Sequence, residues 1–155
     1  MERDQGRHRG RPGRRYPLNR QGWFVDTSVL LLAAGGEHPD REPSRAFLAG
    51  ALRADRPVHA SIEAMREYLF HRMRRADRTS ALAETRALFA VLHLHDLTAP
   101  IFRRSLGVVE STPLRGRDAL HAATALEAGF DRIVTLDRDF AQVPGLAAVH
   151  PGQAG

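Results

Sequence analysis

The sequence predicts an α/β fold with a mostly parallel central sheet of about four or five strands and helices on both faces. Two observations predict it. Short apolar, β-prone runs alternate along the chain with amphipathic stretches of helical period, which is the pattern of strand–helix crossovers. Two of those runs, Trp23-Phe24-Val25 and Ile133-Val134-Thr135-Leu136, lead straight into a carboxylate, Asp26 and Asp137. In a parallel sheet both acids emerge at the same edge, the edge where ligands sit.

Each element follows from local chemistry. After the first strand, Thr27 or Ser28 is the expected N-cap of a helix through Ala33-Ala34, and Gly35-Gly36 stops it. An amphipathic helix is expected over about residues 40–54, carrying Phe47, Ala51 and Leu52 among charges. Pro57 breaks it, and Val58-His59-Ala60 reads as a strand ended by Ser61. From Ser61 to about Arg75, Ile62, Met65, Leu69 and Met73 recur three and four apart as an apolar stripe. A turn at Ala76-Asp77 and an amphipathic helix over about 78–91, carrying Leu82, Leu88, Phe89 and Val91, would complete an αα-hairpin. His93 to Leu97 reads as a strand. Thr98 and Pro100 mark the start of a helix that reaches about Ser111. Pro113 to Arg117 reads as a loop, Asp118 to Ala128 as an alanine-rich helix ended by Gly129, and Ala147-Ala148-Val149 as a last short strand.

Composition narrows the chemistry. The chain has 155 residues, a length that fits one domain with a core of its own. It holds no cysteine, which excludes disulfides, thiolate metal sites and a cysteine nucleophile and fits a reducing cytoplasm. All 23 of its basic residues are arginine. Without lysine there is no Schiff-base chemistry and no Walker P-loop, and the lysine that accompanies a strand-end aspartate in receiver-type and haloacid-dehalogenase-type phosphoryl sites is absent. The longest apolar run is about six residues, too short for a membrane span or a secretory h-region. The net charge of +5 resides in residues 1–21, where seven arginines stand against Glu2 and Asp4. That segment is rich in Gly and Pro and reads as a basic, disordered extension. Residues 22–150 are expected to form the domain, and 151–155 a C-terminal tail.

Four carboxylates can converge. Asp26 and Asp137 end strands, Asp118 starts a helix that leads into the Asp137 strand, and Glu67 lies early on a helix that follows a strand. Singly each has a plain explanation: a cap for Asp26, a first-turn acid for Asp118, a turn former for Asp137, a solvated helical acid for Glu67. Together they would repel one another unless a hard divalent cation with oxygen ligands lies among them, and Mg²⁺ or Mn²⁺ suits such a set. Carboxylate-bound divalent ions activate water for phosphodiester cleavage, so the residues read as a metal-dependent phosphodiesterase. The eight histidines have no zinc-site spacing, and His71 and His121 read as helix-surface residues.

These residues also carry a family resemblance. Phe24-Val25-Asp26-Thr27-Ser28-Val29-Leu30, Ser61 with Glu67, Asp118-Ala119-Leu120-His121-Ala122-Ala123 and Thr135-Leu136-Asp137-Arg138-Asp139-Phe140 stand in this order. The chain resembles the PIN-domain ribonucleases, in particular the VapC-like toxins of bacterial toxin–antitoxin pairs, over about residues 22–150. The resemblance implies a three-layer α/β/α fold and a Mg²⁺ or Mn²⁺ site made by Asp26, Glu67, Asp118 and Asp137. Thr27, Thr135 and Asp139 would support it, and Arg115 and Arg117, beside Asp118, are candidates for RNA-phosphate contacts. It implies endonucleolytic cleavage of single-stranded RNA by a cytoplasmic toxin that forms a homodimer and is silenced by a cognate antitoxin protein. The alternative is a catalytically inactive PIN-like module that binds RNA or protein. A broken acid set would mark it, and here the set is intact.

Overall fold

A computed structural model describes residues 22–154. The basic extension expected over 1–21 lies outside the described residues. In chain order the elements are β1 (Trp23–Phe24), α1 (Thr27–Ala34), α2 (Arg41–Arg53), β2 (Val58–Ser61), α3 (Ile62–Arg75), α4 (Arg78–Val91), β3 (His93–His95), α5 (Ala99–Ser111), α6 (Gly116–Glu127), β4 (Arg132–Val134) and β5 (Ala147–Val149). Short 3-10 turns cover Arg138–Gln142 and Pro151–Gln153.

All strand pairs are parallel. β1 pairs with β2 and β2 with β3, while β4 pairs with β5. A parallel bridge between Val25 and Val134 joins the two groups, so the strands run in the order β3–β2–β1–β4–β5. The chain enters β1 at Gly22, whose φ is +69° and where a Cβ would stand 2.0 Å from the Pro57 carbonyl oxygen. Only glycine fits that approach.

Side-chain alternation along β1 builds the three layers. Trp23 and Val25 point into a core with Val29 and Leu30 of α1, Phe47 and Ala51 of α2, and Ala64 and Tyr68 of α3. Phe24 points the other way, into a core with Val108 of α5, Ala119, Ala122 and Ala125 of α6, Phe130 and Phe140. Fully buried side chains such as Phe24 and Ile133 each contribute roughly 1.5–3 kcal/mol of transfer free energy. The alanines of α6 let it lie close against the sheet, which draws Asp118 to the strand ends.

Four local expectations are corrected. The N-cap of α1 is Asp26, with no side-chain capping bond, because the hydroxyls of Thr27 and Ser28 are engaged elsewhere. The buried face of α3 consists of Ala64, Met65 and Tyr68; Met73 is exposed, and Arg72 beside it pairs with Glu84 of α4. On α4 only Ala81 is buried, and Phe89 and Val91 are exposed. α6 starts at Gly116, so Arg117 lies on the helix, not in the loop before it. The caps by Ser61, Asp77 and Thr98 are made by their own side chains.

Candidate metal centre

Asp26 follows β1 as the N-cap of α1, Glu67 lies on α3, Asp118 on α6, and Asp137 follows β4 as the cap of a 3-10 turn. Asp26 is buried, at 4% exposure. Its Oδ2 accepts two hydroxyls, Ser28 Oγ at 2.7 Å and Thr135 Oγ1 at 3.0 Å. Ser28 is in turn held by the Leu136 N–H at 3.3 Å, and Thr135 Oγ1 also accepts the Asp137 N–H at 3.0 Å. One carboxylate oxygen is thus fixed from the first turn of α1 and from the end of β4, and Oδ1 lies 3.9 Å from His121 Nε2.

Asp118, in the first turn of α6, is half-buried. Burial pushes its carboxyl up from the ordinary aspartate value, the charge of Asp26 adds to this, and those of Asp137 and Glu67 contribute further. The charges of the other three acids are thus all felt at Asp118. Oxygens of Asp26 and Asp118 and a nitrogen of His121 lie within 4.8 Å of one another, close enough for one ion.

Glu67 is held at both oxygens. Oε2 accepts from His121 Nε2 at 3.2 Å, and Oε1 lies 3.1 Å from Arg117 Nη1 and 3.7 Å from His71 Nε2. The His121 hydrogen bond, outweighing burial, brings its carboxyl down to about 2, with help from the His121 charge, Thr27 and Arg117. Glu63 pairs instead with Arg66. Asp137 caps the 3-10 turn, where its Oδ1 accepts the Asp139 N–H at 2.9 Å. Asp139 is exposed and its carboxylate faces Gln142 at 3.5 Å. Arg115, the N-cap residue of α6, is exposed, and Arg117 is 55% exposed beside Glu67.

The expectation for His121 is overturned. It is not on the surface: it is 0% exposed and sits at the centre of the site. Its Nδ1 meets Ser61 Oγ at 2.7 Å and its Nε2 meets Thr27 Oγ1 at 3.1 Å, besides Glu67. Burial pulls the imidazole down, yet the Glu67 hydrogen bond and the charges of Asp26, Glu67 and Asp118 leave it above its ordinary value. The sequence offers one hint, that His121 follows Asp118 by three residues and so shares its helix face, but that spacing does not reveal the partners of its nitrogens. Ser28 was likewise legible only as a cap, and its role as an Asp26 donor needed the fold. The line Ser61–His121–Glu67 has the order of a nucleophile triad. Ser61 is only 2% exposed, so no substrate reaches its hydroxyl.

The donor set fits a divalent cation. Asp26 and Asp118 repel each other, and their free oxygens are the hard ligands that Mg²⁺ and Mn²⁺ favour.

A parallel three-layer α/β fold with acids gathered at its carboxyl edge defines the class of protein. The PIN domain family model matches residues 23–146, and the chain belongs to the PIN-domain family. It is similar to Ribonuclease VapC7 of Mycobacterium tuberculosis, 33% identical over 134 residues that span 84% of this chain and 92% of that protein. It is also similar to Ribonuclease VapC23 of the same species, 34% identical over 121 residues, 76% of this chain and 94% of that protein. In fold it is similar to a crystal structure of VapBC2 from Rickettsia felis bound to a promoter DNA fragment. The TM-score is 0.67 at 15% identity, covering 83% of this chain and 97% of that one.

Proposed function

We propose that this chain is a metal-dependent endoribonuclease that cleaves single-stranded RNA and acts as the toxin of a toxin–antitoxin pair. The observation that carries it is the pair Asp26 and Asp118, presented together at the sheet edge in a chain whose relatives are named ribonucleases. Asp26, Glu67, Asp118 and Asp137 would hold the ion, Mg²⁺ or Mn²⁺. Such an ion supplies Lewis-acid stabilisation of a phosphoryl oxygen and a more acidic water. Ser28 and Thr135 keep Asp26 in one orientation with one oxygen free. Arg117 and Arg115, exposed at the rim on α6, offer guanidinium groups to the RNA phosphates. Thr27 supports the site through its contact with His121. Asp139, turned toward Gln142, would assist only after rotating. The inactive-module reading is not favoured, because the acid set is intact.

The partners follow from the same reading. A cognate antitoxin and a second copy of the chain would cover apolar side chains that stand exposed, among them Phe70, Phe89, Phe102 and Leu106. Among the described residues no helix is long and apolar enough to cross a membrane. On the toxin reading the protein acts in the cytoplasm, with the activity in residues 22–150.

The test is RNA cleavage with Mg²⁺ or Mn²⁺, with and without EDTA, for wild type and Asp26→Asn. Cleavage should require the ion and fall by about 100-fold or more in the variant, the scale for removing a group that stabilises developing charge. Undiminished cleavage by Asp26→Asn would sink the assignment.

A further inference from the structure

We infer that His121 is a positioning residue: its Nε2–H fixes the Glu67 carboxylate, and the ring is not itself a ligand of the ion. This deepens the metal-nuclease reading and rests on it.

Proximity alone suggests the opposite, since His121 stands within 4.8 Å of the Asp26 and Asp118 oxygens. Hydrogen-bond chemistry decides against it. A carboxylate can only accept, so the 3.2 Å contact between Nε2 and Glu67 Oε2 requires the hydrogen on Nε2. That holds whether the ring is neutral or charged. A nitrogen that donates has no lone pair for a metal. Nδ1 faces Ser61 Oγ at 2.7 Å, and Ser61 Oγ already accepts the Ala64 N–H at 3.1 Å. Its own hydrogen is then free to point at Nδ1, which keeps Nε2 as the donor. Thr27 Oγ1, 3.1 Å from Nε2, stands on the same side.

The arrangement has a mechanical consequence. One fully buried ring joins α1 through Thr27, the β2–α3 junction through Ser61, and α3 through Glu67. It projects from α6 one turn after Asp118. Glu67 Oε1 is meanwhile held by Arg117, also on α6. The same helix that presents Asp118 therefore clamps both oxygens of Glu67, and the spacing between the two acids is set by one helical turn. Groups that orient metal ligands in this way typically change metal affinity by about 10–100-fold when removed.

Two substitutions separate this role from packing. His121→Gln keeps an N–H near the position of Nε2 and loses the Ser61 contact. His121→Asn keeps a group near Nδ1 and loses the Glu67 contact. Mn²⁺ affinity by calorimetry should weaken by about 10–100-fold in His121→Asn and stay near wild type in His121→Gln. Melting temperatures measured alongside register any packing loss in either variant. The ¹⁵N spectrum of the wild-type imidazole should show hydrogen on Nε2 both without metal and with Mg²⁺. Equal loss of Mn²⁺ affinity in the two variants, or an Nε2 without hydrogen, overturns the inference. Wild-type protein that binds no Mn²⁺ overturns the nuclease reading instead, and the nitrogen spectrum decides the state of His121 independently.

Discussion

Thr135 Oγ1 donates to Asp26 Oδ2 at 3.0 Å, across 109 residues of sequence. The bond ties the end of β4 to the end of β1, where the Val25–Val134 bridge is the only strand-to-strand link between the two groups of strands among the described residues. Thr135 is 4% exposed, so its hydroxyl is part of the wall of the site.

Thr135→Val keeps the shape and removes that hydroxyl. Asp26 loses one of its two hydroxyl donors, and the Asp137 N–H loses its acceptor. The expected cost is about 1–3 kcal/mol of stability, the range for a buried polar group left unmatched. Mn²⁺ binding should weaken by roughly 10-fold as Asp26 gains freedom. Denaturant melts and calorimetry check the two effects, and unchanged metal affinity would show that Ser28 alone holds the carboxylate.

Asp118→Asn separates function from stability. Burial and the Asp26 charge both raise the Asp118 carboxyl, so without metal its ionised form is unfavourable in the fold. Sign follows: a raised carboxyl pKa contributes stability below the unfolded value and loses it as pH rises through the folded value. At neutral pH in EDTA the neutral amide should therefore melt higher than wild type, by roughly 2–4 °C for each kcal/mol relieved. The same variant should cleave RNA poorly. A lower melting temperature in EDTA would mean that Asp118 is compensated by the protein itself.

Much of this arrangement was legible in the sequence. Asp26 and Asp137 follow apolar runs, and a parallel sheet places such positions at one edge whatever the details of packing. The alanine stretch after Asp118 announced a helix pressed against that sheet. The centre of the site was not legible. A histidine on an alanine-rich helix looks like any surface histidine until the partners of its two nitrogens are known, and those partners, Ser61 and Glu67, lie 60 and 54 residues away. The α3 face differs from its expectation for a similar reason. Periodicity gives the existence of a stripe, but which residues of it are buried depends on what packs against α3, and there Ala64, Met65 and Tyr68 face the core while Arg72 pairs with Glu84 of α4. Likewise local chemistry marks Thr27 and Ser28 as caps, whereas in the fold Thr27 Oγ1 meets His121 and Ser28 Oγ donates to Asp26.

A second histidine group gives a pH dependence. His59 of β2 stacks on His93 and His95 of β3, with Nδ1 2.9 Å from His95 Nε2. Burial, then the His95 and His93 charges, bring His59 down from 6.5 to about 3. Burial and His93 also lower His95. A depressed imidazole contributes stability that is present above the unfolded value and is lost as pH falls toward the folded one, because the unfolded chain then binds more protons. The window for His59 runs from 6.5 down to about 3. Glu67, lowered from 4.5 to about 2, adds loss of the same sign further down. His121, raised, has the opposite sign and loses its contribution as pH rises. The melting temperature should therefore fall as the pH drops below about 6.5, with each imidazole contributing at most about 1.4 kcal/mol per pH unit. His59→Phe, which keeps a ring beside Phe130, should flatten that slope. An identical slope in the variant would assign the acid sensitivity elsewhere.

Arg115 and Arg117 give the most direct view of RNA. Both are exposed at the start of α6, on the side of Asp118, and Arg117 is already aligned by Glu67. A phosphate contact displaces condensed counterions, so affinity for a single strand falls with salt at a log–log slope of about −0.7 per contact. In an Asp26→Asn background, which binds without cutting, single-stranded RNA affinity is measured from low to moderate salt. Arg117→Gln and Arg115→Gln should each weaken binding at low salt and reduce the slope by about 0.7, with little dependence on RNA sequence, since phosphates carry none. For Arg117 a second effect separates two roles. If its main work is to hold Glu67, Mn²⁺ affinity changes and the salt slope does not; if it meets phosphate, the slope changes first. Arg115 is exposed and is not paired to the acid cluster, so its variant should move the slope alone. A slope untouched in both variants would move the RNA path away from α6.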